Sequence, residues 1–208
     1  MTTRSMAILL ATAAIPTVAQ DIDERAVIRV ASEVQKRILS LPEYGVFDSL
    51  NFGIKGTTVI LKGYASRPIL KDSAERVVKG IEGVTAVDNK IQVLPLSPMD
   101  DQIRAALYAR IYRHPALQRY GQAVGGANRF FSVARAAGGI TNDPPIGFHA
   151  IHLVVQNGNV TLAGVVNNSG DKALAGILAN QVPSVFAVEN DILVDNDDAR
   201  KAAKPPKK

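Results

Sequence analysis

The chain has 208 residues, 47% hydrophobic and 21% charged, a composition for one large or two small globular domains rather than a disordered polymer. With no cysteine it can hold no disulfide, no thiolate metal site, no cysteine nucleophile and no lipidated export signal. The formal charge of +5 sits at the ends: without Arg4 and the five basic residues of 199–208, 18 basic side chains face 19 acidic ones, which removes global charge as an argument for nucleic-acid binding.

The first residues read as a secretory signal peptide over 1–19. Arg4 precedes an apolar run over 6–15, and Thr17-Val18-Ala19 places small residues before a cleavage point after Ala19. The run is too short to span a bilayer, which takes ~20 residues. The other reading, an ordinary buried N-terminal helix, has Pro16 against it. The mature chain is expected to be soluble and periplasmic or secreted.

Next comes an amphipathic helix with Val30, Val34 and Ile38 four residues apart, stopped by Pro42. Leu50, Phe52 and Ile54 alternate as a strand, Lys55-Gly56 supplies a turn, and Val59 and Leu61 lie on a second strand ending at Gly63. Ser66 before Arg67-Pro68 predicts a capped helix from about 67 to 81, with Leu70, Ala74, Val77 and Ile81 inward. Val87, Ile91 and Val93 mark a closing strand.

The same order then returns. Ile103, Leu107 and Ile111 form a helix stripe ended by Pro115; Ile151, Leu153 and Val155 alternate; Asn157-Gly158 is a strong hairpin turn. Val160, Leu162 and Gly164 follow. A helix from about 169 to 181 points Leu174, Ile177, Leu178 and Val182 inward, and Val188, Ile192 and Val194 close the unit. A shift of 101 residues aligns 59–93 with 160–194 without a gap, while upstream the shift is 73, so the second copy holds 28 extra residues at about 117–147. The predicted fold is α+β. It has two αββαβ modules, 27–94 and 101–195, each with two helices on one face of a small three-stranded mixed sheet. Gly63 and Gly164 end their strands where a side chain would strike the packed helix or where the backbone needs positive φ. Residues 196–208 read as a disordered basic tail; the acidic cluster at 195–198 lacks the glycine and distal glutamate of a calcium loop.

The segments VILKGYASRPILKDSAERVVKGIEGVTAVDNKIQV and VTLAGVVNNSGDKALAGILANQVPSVFAVENDILV resemble the BON domain (bacterial OsmY and nodulation), here in tandem behind an export signal. The resemblance implies the αββαβ fold and a periplasmic location, with peripheral association with the outer membrane in some relatives. It also implies binding to phospholipid or an envelope surface, in envelope integrity or osmotic stress, without catalysis or cofactor. The second copy departs from the pattern in its insertion and in Pro183-Ser184, which replaces Glu82-Gly83.

Between Asp101 and Asp143 there is no acid, while Arg104, Arg110, Arg113, Arg119, Arg129, Arg135 and His114 are interleaved with Tyr108, Tyr112, Tyr120, Phe130 and Phe131. Guanidinium groups pair with phosphate and tyrosine suits a headgroup boundary. Arg104, Tyr108, Arg110, Tyr112, Arg113 and Arg119 are therefore the candidate surface for anionic phospholipid, as the BON resemblance also implies for this helix. The alternative is a solvated face whose arginines pair with acids elsewhere. The Gly-rich insertion, with Asn128 capping a helix over 129–137 and Phe130, Phe131 and Val133 able to bury, reads either as a mobile, membrane-touching loop or as a packing elaboration. His149 and His152, three apart on a strand, face opposite ways and share no metal. No nucleophile elbow or phosphate loop is present. An adaptor for an envelope protein and, less favoured, an exported enzyme are the competing functions; no nucleic-acid partner or small-molecule substrate is expected.

Overall fold

The structure, a computed structural model, describes residues 24–123 and 139–195. The segments read as a signal peptide and a basic tail, Arg129, Arg135 and the helix expected over 129–137 lie outside the described residues. In the first module α1 (Glu24–Leu39) is followed by the hairpin β1 (Ser49–Lys55) and β2 (Thr58–Ala65), then α2 (Pro68–Lys79), β3 (Ala86–Asn89) and β4 (Gln92–Val93). β1 pairs antiparallel with β2, and β3 and β4 both pair parallel with β2. Val30, Val34 and Ile38 of α1, Leu70, Ala74 and Val78 of α2, and Val59 and Leu61 of β2 fill one core.

Three local expectations change. The tight turn is Gly56-Thr57, one residue later than expected, because Lys55 pairs with Thr58. Ser66 does not cap α2: the cap position is Arg67, without a side-chain bond, and the Ser66 N–H is taken by Asp48 at 2.6 Å. The closing strand breaks in two. The Asn89 side chain donates to the Lys71 carbonyl of α2 and accepts from the Ile91 N–H, which turns the chain, buries Ile91 and leaves Val93 outside.

The second module repeats the plan: α3 (Pro98–Tyr112), β7 (Ile151–Gln156), β8 (Asn159–Val166), α4 (Ser169–Asn180), β9 (Ala187–Asn190) and β10 (Leu193–Val194). Asn190 repeats the work of Asn89, donating to Lys172 O at 2.8 Å and accepting from Ile192 N–H. This is why Asn89 and Ile91 recur as Asn190 and Ile192. Two further strands, β5 (Gly121–Ala123) inside the insertion and β6 (Gly147–His149) where the insertion ends, pair antiparallel. The inner stripe of α4 differs from expectation. Ala175, Gly176 and Ala179 face the sheet, Leu174 and Leu178 are half-buried, and Ile177 is 56% exposed. Small residues let α4 lie close to β9, so close that a Cβ on Gly176 would meet the Asn190 amide at 2.9 Å.

The modules are joined by more than the linker. Val46 and Phe47, from the loop before β1, are buried in the second module's core. The Val46 carbonyl accepts from the Leu153 N–H at 2.7 Å on the open side of β7. Asp48 shapes this loop by accepting from Gly45 N–H at 2.8 Å, and burial pushes its carboxyl above the usual range despite those bonds.

Candidate functional site

The six expected lipid-contact residues divide by location. Arg104 is 1% exposed. Its guanidinium donates to Asp101 and Thr141, both at 2.9 Å, and to the Val155 carbonyl at 2.7 Å. It therefore caps the open edge of β7 rather than meeting solvent. Tyr108 is buried, 3.2 Å from His149 Nε2. Tyr112 is half-buried, and its hydroxyl donates to the Ile151 carbonyl and accepts from the Ile151 N–H at 3.2 Å; burial raises its pKa. Arg104 and Tyr112 seal the open edge of β7 and Tyr108 packs against His149, and the expectation that they face a membrane does not hold for these three. The remaining three are exposed. Arg110 donates to the neutral amide of Gln181 at 2.9 Å, and Arg119 lies over the Tyr120 ring and pairs with Asp171. The Asp171 carboxyl feels burial as an upward pull, but its bonds from Tyr120 and Arg119 hold it below the usual range.

The two histidines part company, though not by alternation along one strand as expected: His149 ends β6 and His152 stands on β7, with a bend at Ala150 between them. His149 sits among Tyr108 and Tyr112, with ring centroids 5.5 and 5.0 Å away. Its Nδ1–H donates to the Gly147 carbonyl at 3.0 Å, and burial lowers its pKa to about 4. His152 faces the first module, donating from Nδ1 to Gly45 O at 3.1 Å with the Tyr44 hydroxyl 3.5 Å from Nε2. Burial lowers its pKa too, and raises that of Tyr44 to about 12. Each ring is held as a neutral hydrogen-bonding group. Among the described residues no group of three His, Cys, Asp or Glu side chains is placed to hold a metal ion.

A surface that sequence reading passed over lies on α1. Arg25, Ile28, Arg29, Ser32 and Lys36 are all outside the core, and Ile28 is 62% exposed. At 3.6 residues per turn they fall within about 100° of the helix circumference. Glu33 and Arg37 lie on the flank and pair with each other at 2.7 Å, so the stripe itself contains no acid. The arginine held on the Glu33 flank lowers that carboxyl's pKa. Counted 73 residues on, the corresponding stripe of α3 is Pro98, Asp101, Gln102, Ala105 and Ala109, which includes an acid and no large apolar residue. The signal was present in the sequence as the complement of the Val30–Val34–Ile38 stripe, but the density of arginine and tyrosine after Asp101 drew attention to the second module.

No helix among the described residues is long and apolar enough to cross a membrane. No curated protein matches the chain. Two solved structures of CdsD, a structural protein of the type III secretion system of Chlamydia trachomatis, are similar at 15% identity and a TM-score of 0.26. One, of its C-terminal domain, covers 81% of this chain and 98% of its own; the other covers 86% and 100%. The model of the BON domain matches over 29–95 and again over 135–196. The repeat, the two αββαβ modules and this double match agree: the chain belongs to the BON domain family and carries two copies of the domain.

Proposed function

We propose that this is a non-enzymatic periplasmic protein that binds anionic phospholipid at an envelope surface, supporting envelope integrity under osmotic stress, and that the outer stripe of α1 makes the contact. Membership of the BON family supports phospholipid or envelope binding in general. The observation that carries the particular reading is the exposed stripe Arg25, Ile28, Arg29 and Lys36, free of acid and interrupted by a large apolar side chain. An amphipathic helix of this kind lies in the plane of a membrane, its bases toward anionic headgroups and its apolar residue at the acyl boundary. Each base near an anionic surface contributes about 1 kcal/mol at physiological salt. Arg110, Arg113 and Arg119 of the second module form a weaker, accessory basic surface, since Arg119 is already met by Asp171.

Co-sedimentation of the mature chain with vesicles tests this. Phosphatidylglycerol vesicles should bring down more protein than phosphatidylcholine vesicles, and rising salt should release it. Arg29→Gln with Lys36→Gln should weaken binding by about tenfold or more, with Arg110→Gln and Arg113→Gln having the smaller effect. Equal binding to both vesicles would refute phospholipid charge as the determinant; loss confined to the second pair would refute α1 as the contact.

A further inference from the structure

Positions 101 residues apart are equivalent by the repeat, yet at the seam one such pair behaves oppositely. Phe47 is 1% exposed and packed in the second module's core, whereas its counterpart Phe148 is 66% exposed. The cause is the next residue. Asp48 folds its loop by accepting from the Gly45 and Ser66 N–H groups, which sends Val46 and Phe47 across the seam. The equivalent residue is His149, whose ring turns inward to Tyr108 and Tyr112. The preceding residues run extended in β6, paired with β5, and Phe148 stays outside.

The receiving side is equally lopsided. Ile151, Leu153 and Val155 of β7 are fully buried, and Leu153 N–H is bonded to Val46. Their counterparts Leu50, Phe52 and Ile54 on β1 are only half-buried. Nearby is an open cleft of about 400 Å³ lined by Leu39, Leu41, Pro42, Tyr44 and Phe148, with His149 and His152 also on its wall. A second hollow of about 270 Å³ over Leu50 and Phe52 shares Leu39 and Tyr44. Leu39 is 58% exposed, and Ile146, two residues before Phe148, is also exposed. Exposed large apolar side chains gathered at the rim of an apolar cleft mark an interaction surface.

We propose that this face joins two copies of the chain, Phe148 of each entering the Leu39–Pro42–Tyr44 cleft of the other. The second module supplies the precedent, since there a phenylalanine from the same position of the repeat is buried across a module boundary. Projection and cleft lie on one face, so the contact is self-complementary and closes as a two-fold dimer rather than growing into a filament. The proposal does not depend on phospholipid binding.

The absence of cysteine gives a clean experiment. Light scattering of the full chain over a dilution series should show a dimer that dissociates on dilution. Phe148→Asp, at an exposed position, should keep the wild-type unfolding midpoint and weaken dimerisation by about thirtyfold or more, as loss of an interface anchor does. Leu39→Cys mixed with Phe148→Cys should give a disulfide-linked heterodimer on oxidation. A monomer at every concentration, a dimer indifferent to Phe148→Asp, or no heterodimer on oxidising the two single-cysteine variants together would each overturn the proposal. So would a monomeric wild type that loses vesicle binding on Phe148→Asp, which would assign the cleft to lipid.

Discussion

At the scale of single residues, Gly63 and Gly164 explain why Val-x-Leu-x-Gly recurs. Their φ angles are +109° and +114°, and a Cβ at either would overlap a carbonyl oxygen on the neighbouring strand, that of Ser49 or Ala150. Of the two expected reasons the positive φ holds, and the steric obstacle is backbone of the facing chain rather than the packed helix. Two costs combine, a φ that side chains rarely adopt and a clash with backbone that cannot step aside. Gly164→Ala should destabilise by about 2–4 kcal/mol in urea denaturation; a shift within experimental error would show that β8 relaxes freely. His149 yields a pH prediction at the same scale. Burial lowers its folded pKa to about 4 from the usual 6.5 of a free imidazole, so the unfolded chain takes up the proton first as pH falls. Stability is complete above about 6.5 and declines between there and about 4, by roughly 1–3 kcal/mol, and His152 acts in the same direction. His149→Phe should flatten the denaturation midpoint across this range, and an unchanged slope would contradict the burial argument.

At the scale of elements, the second module shows how much a helix's own periodicity reveals. Val30, Val34 and Ile38, and Ile103, Leu107 and Ile111, are all core residues, because one face of any packed helix must be apolar. The fate of the next stripe round depends on what else packs there. On α3 that stripe is Arg104 and Tyr108, covered by Val155 and Thr141 from distant parts of the chain in one case and by His149 in the other. On α1 the residues Ile28, Arg29, Ser32 and Lys36 of the outer stripe are exposed among the described residues. Arg104 therefore looks like a surface residue in sequence and acts as a structural cap. Arg104→Ala should cost about 3–5 kcal/mol, since it leaves the Val155 carbonyl without its buried donor and Asp101 with only the Thr141 hydroxyl. Measured on the folded fraction, vesicle binding should be unaltered. A mild stability change with lost lipid binding would return Arg104 to the membrane surface.

At the scale of the whole molecule, the repeat suggests two modules that fold alone, and this is where the sequence is least informative. Order and spacing within each copy are periodic and can be read, but the junction is made once, by Val46, Phe47 and His152, and leaves no periodic trace. Physically the junction is part of a core: Phe47 is as buried as the residues of β7 beside it, and Val46 completes a backbone hydrogen bond of that strand. The second module should accordingly depend on the first, while the first, whose core of α1, α2 and β2 residues closes on itself, should not depend on the second. Truncating a buried phenylalanine costs about 3–5 kcal/mol. Phe47→Ala should therefore charge this loss to the second module alone and uncouple the two. The wild type is expected to unfold in one cooperative transition by calorimetry, and the variant in two, with the lower-temperature step belonging to residues of β7 and β8 in hydrogen exchange. If Phe47→Ala instead lowered a single transition without splitting it, the remaining seam contacts, His152 to Gly45 and Tyr44, would suffice to bind the modules into one folding unit.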